Sequence, residues 1–233
     1  LLTLEESQAE IEKLKAEIRS IRQANRNAND GISLIQTAEG GLNEIQNILI
    51  RLRELSMQAA TDTVGDVERG FSDKEVQNLT SELQRIADTT AFNGRNLLNG
   101  VGETLDFQVG IHNNPEQDRL HFDTGKADAT AGKLGLQGIT VLTKAEAQAN
   151  LSKVDNAIRT VSDNRADFGA LQNRLQSTIN NLSIYDENLS AANSRIRDTD
   201  LAIEVSEMTK SNILLQSGIS VLGQANQTNA SAL

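Results

Sequence analysis

Residues 154–203 read VDNAIRT VSDNRAD FGALQNR LQSTINN LSIYDEN LSAANSR IRDTDLA I, and this stretch decides the fold. Val154, Val161, Phe168, Leu175, Leu182, Leu189, Ile196 and Ile203 recur at every seventh position, all of them apolar. A heptad position held for so long marks a helix packed along its length against other helices. The positions three residues earlier are Leu151, Ile158, Arg165, Gln172, Ile179, Asp186, Asn193 and Asp200, and many of these are polar or charged. Polar groups in a seam lower its stability but fix register and partner choice. A helix of about 50 residues spans about 75 Å. The expectation is therefore mainly α: an elongated bundle of long coiled-coil-like helices, built for spacing or assembly.

Working outward, the N-terminal part repeats the pattern. Ile11, Leu14, Ile18 and Ile21 form one stripe, and Leu34, Ala38, Gly41, Ile45, Ile48, Leu52, Leu55 and Ala59 form another. They belong to one long helix, or to two offset near Asn29-Asp30-Gly31. Thr61 to Gly70 reads as a turn. Ser72 with Glu75 reads as a capping box that opens a short helix through about Ala87. Between the helical parts the period changes. Leu105, Phe107, Val109 and Ile111 alternate, as do Leu120 and Phe122, with turn-forming residues from Asn113 to Asp118 between them. This is a small β-hairpin region, and the glycine-bearing stretch from Gly125 to Gly138 reads as further turns. The expected divisions are 1–90 for the N-terminal helical part, with 1–12 atypical, then 91–140, 141–200 and 201–233.

Composition narrows the function. With no Trp, one Tyr and five Phe in 233 residues, aliphatic side chains and Ala must do the packing. The single proline lies at Pro115, so long helices are not interrupted. A formal net charge of -10 repels phosphate backbones, so nucleic acid is a poor partner. There are no cysteines for disulfides or thiolate metal sites. The sequence shows no spanning segment, and its charged start has no apolar core of the signal-peptide kind. Neither a membrane association nor a cleavable signal is expected.

Particular residues then resemble a known family. Asn25-Arg26-Asn27-Ala28-Asn29-Asp30-Gly31-Ile32-Ser33-Leu34-Ile35-Gln36-Thr37-Ala38-Glu39-Gly40 is similar to the signature of bacterial flagellins, and Arg51-Leu52-Arg53-Glu54-Leu55 with Gln58-Ala59 continues it. Phe92-Asn93-Gly94, Leu97-Leu98, Leu171-Gln172-Asn173-Arg174-Leu175, Ile179-Asn180-Asn181-Leu182, Ser194-Arg195-Ile196-Arg197-Asp198 and Gln224-Ala225-Asn226-Gln227 agree in order and spacing. The resemblance implies a filament subunit with a short central region, exported without a cleavable signal to the extracellular flagellum and assembling with other flagellin subunits. It also implies an export chaperone on the C-terminal helix, Ala202 to Gln227. Leu1 to Glu12 departs from the family's usual opening, and on that ground the chain is expected to be incomplete at its start and to stay monomeric or in small oligomers.

The same resemblance gives the sharpest site. Arg51, Glu54, Leu55 and Gln58 lie near one side of a helix, and in flagellins sensed by the animal flagellin-sensing Toll-like receptor this motif is the main contact, joined by a Glu on the next helix, here Glu75. Arg suits such a role because its guanidinium binds carboxylates and carbonyls in two places at once. The bland alternative is an ordinary helix face. The heptad residues from Val154 to Ile203 are the expected assembly or core seam. His112 and His121 invite a metal reading, but a site needs more ligands than two, and surface strand positions account for them better. No catalytic residues, metal site or cofactor motif emerge, so an enzyme is not expected. The alternative of another class is a coiled-coil signalling or secretion-tip protein, and the hairpin block between helices speaks against it.

Overall fold

A computed structural model describes the backbone of residues 4–102 and 104–230 and the side chains of 8–102, 104–197 and 205–224. The order is α1 (Leu4–Ala59), α2 (Asp66–Thr89), β1 (Ala91–Phe92), β2 (Arg95–Asn96), β3 (Thr104–Gln108), β4 (Arg119–Asp123) and α3 (Lys144–Ala230). The fold is mainly α, with two small antiparallel hairpins. The chain divides into two compact units, one formed by Ile21–Ser183 and the other by 1–20 with 184–233.

In the larger unit, α1 continues unbroken through Asn29-Asp30-Gly31. Gly31 serves packing there, because a Cβ would sit 3.2 Å from both Leu175 Cδ1 and Phe107 Cδ1. The expected stripe is buried at Leu34, Ala38, Ile45, Leu52, Leu55 and Ala59. Leu42 and Leu49 widen it on one side. The same core takes in Val76, Leu83 and Ala87 of α2 and Val154, Ala157, Val161, Phe168 and Leu175 of α3. Each Val, Leu or Phe side chain buried there contributes about 1.5–3 kcal/mol, and each Ala less.

The capping box expected at Ser72 and Glu75 is not one. Ser72 lies inside α2, 8% exposed, and its Oγ donates to Glu68 O at 3.2 Å. The helix starts at Asp66, where no side chain caps it. Asp66 and Glu68 place negative charge in its first turn. Arg69 anchors that start to the end of α1, donating from Nε to Ala59 O at 3.0 Å and from Nη2 to Thr61 O at 2.8 Å. A capping box does occur at α3. Glu146 N donates to Thr143 Oγ1 at 3.2 Å, and Thr143 N donates to Glu146 Oε2 at 3.1 Å.

The β-hairpin expectation holds. Thr104 to Gln108 pairs with Asp123 to Arg119 residue for residue. Alternation puts Leu120 and Phe122 inward at 8% and 2% exposure, and Phe122 packs on Phe168 with ring centroids 5.2 Å apart. The smaller hairpin turns through Asn93 (φ 52°) and Gly94 (φ 78°), the positive-φ pair that a two-residue hairpin turn requires.

The segment 124–143 has no regular structure, yet it buries Leu134, Leu136, Ile139 and Val141. Side chains of the flanking helices satisfy its backbone. Asp73 Oδ1 accepts from Val141 N at 2.8 Å, Gln84 Oε1 accepts from Ala131 N at 3.0 Å, and Gln77 Nε2 donates to Ile139 O at 2.7 Å. Asn150 Nδ2 donates to Thr140 O at 2.6 Å.

In the smaller unit, Ile11 and Ile18 of α1 are buried at 8% and 7% exposure. Leu189 and Ile196 of α3 are half-buried, and the side chains of 205–224 are exposed. Among the described residues no helix is long and apolar enough to cross a membrane.

Candidate functional site

Two surfaces carry the chemistry that the sequence singled out. The first lies across α1 and α2. Because α2 runs beside α1, Glu75 reaches Arg51, whose Nε donates to Glu75 Oε1 at 2.8 Å. One turn along α1, Glu54 Oε2 accepts from Arg51 Nη1 at 3.0 Å. These bonds, Glu75 first and Glu54 next, hold the guanidinium pKa above its ordinary value. Gln58 is exposed on the same side. Leu55 is only 2% exposed and belongs to the core. Arg51, Glu54, Gln58 and Glu75 therefore offer polar atoms to a partner, while Leu55 sets the position of the helix beneath them. Ile50 and Met57, at 45% and 51% exposure, add an apolar strip that the motif did not point to.

The second surface is the exposed end of α3. Val205, Met208, Leu215, Ile219 and Leu222 follow coiled-coil spacing and are between 54% and 65% exposed. Upstream, the heptad residues are used inside the chain. Val154, Val161 and Leu175 are 0% exposed, Phe168 5% and Leu182 9%. Leu189 and Ile196 are half-buried, and the side chain of Ile203 lies outside the described residues.

Polar links from α1 and the turn after it to α3 were not legible as pairs. Arg53 Nε donates to Asp155 Oδ1 at 2.7 Å, Lys144 Nζ donates to Asp62 Oδ2 at 2.6 Å, and Asn25 Nδ2 donates to Ser183 Oγ at 3.2 Å. Arg165, a companion position of the heptad, donates to Gln46 and lies 3.6 Å from Glu39. The signal for Arg165 was its place in the seam, but its partners lie more than 100 residues away in sequence.

His121, on β4, meets Asp106 with Nδ1 2.6 Å from Oδ1, and His112 lies in the bend after β3. No group of three or more His, Cys, Asp or Glu is placed to hold a metal ion among the described residues.

Residues 6–103 match the bacterial flagellin N-terminal helical region, and residues 151–233 match the bacterial flagellin C-terminal helical region. A flagellin of Halalkalibacterium halodurans is 43% identical over 216 residues, which cover 93% of this chain and 78% of that protein. A flagellin of Bacillus subtilis is 41% identical over 246 residues, covering 93% of this chain and 81% of that protein. The crystal structure of Bacillus cereus flagellin matches with a TM-score of 0.61 at 31% identity, over 72% of this chain and 94% of that one. Helical regions at both ends of the sequence, a hairpin block between them and identity over most of the length lead to one conclusion: the chain belongs to the bacterial flagellin family.

Proposed function

We propose that this flagellin is a structural subunit of the bacterial flagellar filament, that it assembles with other flagellin subunits through its long helices, and that it performs no catalysis. The observation that supports this best is the exposed apolar stripe of α3, Val205, Met208, Leu215, Ile219 and Leu222. An isolated chain leaves it in water, and covering it against neighbouring copies gains about 1.5–3 kcal/mol for each large side chain buried. An export chaperone would cover the same stripe until the subunit leaves the cell, in keeping with an extracellular location and export without a cleavable signal. Because Val154 to Leu175 are buried within the chain, lateral contacts between subunits use other faces.

The Arg51, Glu54, Gln58 and Glu75 surface is the contact for the flagellin-sensing Toll-like receptor. Its exposed charge-assisted pairs present carboxylates and a guanidinium to a partner, and Leu55 holds them in place.

The test is electron microscopy of flagellin-deficient cells that express this chain. Because the α3 stripe seeks cover, tubular filaments are expected here, against the monomeric state expected from the departure at Leu1 to Glu12, and they should be lost with Ile219→Asp and Leu222→Asp. Soluble chain outside the cell with no filaments would reject the subunit reading.

A further inference from the structure

The register of the β3–β4 pair decides which backbone groups of β4 face outward. Val109 N donates to Asp118 O at 2.8 Å. Bonded and unbonded pairs alternate along an antiparallel ladder, so Phe107 with Leu120 and Leu105 with Phe122 are the bonded pairs. The N–H and C=O groups of Arg119, His121 and Asp123 therefore point away from β3. That sheet has two strands, so among the described residues no strand lies along this edge. A cleft of about 290 Å³ lies beside the Asp123 end of β4, lined there by His121, Phe122 and Asp123 and on α3 by Asn164, Asp167, Phe168, Leu171 and Arg174. Phe122 is 2% exposed and the His121 side chain 51%, so they lie on opposite faces of the sheet.

An open edge invites another strand, and natural proteins protect such edges with charge or short length. This one selects its own kind. Read along the strand, Arg119-Leu120-His121-Phe122-Asp123 complements itself when run antiparallel about His121. Arg119 then faces Asp123 of a second copy, Leu120 faces Phe122, and each pairing occurs twice by symmetry. A parallel arrangement would set Arg beside Arg and Asp beside Asp, which is unfavourable.

We propose that the free edge of β4 is a homophilic docking edge, pairing antiparallel with β4 of a second copy about His121 to form a continuous sheet of both hairpins. Such a contact is two-fold and isologous. One partner saturates it, so it yields dimers and does not extend into a filament.

The chain has no cysteine, so His121→Cys supplies a single reporter thiol at the symmetry centre. Self-paired residues there stand about 5.5 Å apart, within disulfide range. With oxidised glutathione as the electron acceptor, this variant should form disulfide-linked dimers at least about tenfold faster than an exposed control, Lys133→Cys. In the His121→Cys background, Arg119→Asp or Asp123→Arg alone should slow crosslinking by about tenfold or more, since like charges then face each other. Mixing those two variants restores opposite charges and should return the parent rate as a heterodimer, provided circular dichroism shows both folded. Equal rates at 121 and 133, or no recovery on mixing, would overturn the proposal. The readout is confined to β4, so association through α3 neither mimics nor masks it, and filament formation is judged separately.

Discussion

Arg51 and Glu75 meet at 2.8 Å across the α1–α2 interface, with Glu54 3.0 Å from the same guanidinium. All three side chains are well exposed, and exposed pairs add little to stability, so this cluster is better suited to recognition than to holding the helices together. Arg51→Ala and Glu75→Ala should each weaken binding to the flagellin-sensing receptor while leaving the melting temperature nearly unchanged. Leu55→Ala should lower both, because Leu55 is a core residue. A receptor assay beside a thermal melt separates these outcomes, and unchanged binding for Arg51→Ala and Glu75→Ala would leave only an ordinary helix face.

Gly40 and Gly41 are neighbours on α1 with opposite surroundings. A Cβ on Gly40 would meet nothing within 4 Å, whereas one on Gly41 would sit 2.7 Å from Thr90 Oγ1 and 2.8 Å from Leu98 Cδ1. Gly40→Ala should therefore stabilise by up to about 1 kcal/mol through helix propensity. Gly41→Ala should destabilise by about 1–3 kcal/mol through overpacking. Urea unfolding of the two variants provides the comparison.

Arg69 is 7% exposed and serves the carbonyls of Ala59 and Thr61 at the end of α1. Its loss leaves acceptors unpaired near the α1–α2 turn, so Arg69→Ala should cost about 1–3 kcal/mol. Lys should rescue only part of this, because an ammonium cannot reproduce the planar fork of donors. Full rescue by Lys in equilibrium unfolding would show that charge alone suffices.

Leu175 is fully buried, and Gln172, one heptad companion away, is half-buried. Leu175→Ala should cost about 2–5 kcal/mol, and Gln172→Ala much less. Chemical denaturation that finds equal, negligible losses for both would mean that the seam is misplaced.

Local pattern was enough for much of this protein. The seven-residue recurrence from Val154 onward, the stripe from Leu34 to Ala59 and the alternation in Leu105, Phe107, Leu120 and Phe122 each report a period that one element imposes on its own sequence. Helices and hairpin were therefore legible, as were the ordered motifs of the family. The start of α2 was not. Ser72 and Glu75 satisfy a local capping rule, yet Arg69 binds carbonyls at the end of α1 and the helix begins at Asp66. Such a contact depends on where another helix ends, and spacing does not encode that.

The tertiary structure alone decided which polar groups meet. Arg51 finds Glu75, Arg53 finds Asp155, and Arg165 finds Gln46, because antiparallel helices bring together residues far apart in sequence. It also decided the fate of apolar residues that look alike in the sequence. Leu55 and Leu175 lie in the core, whereas Leu215 and Leu222 remain in water. Hydrophobic periodicity says that a face wants cover; only the positions of the other elements say whether the chain itself provides it.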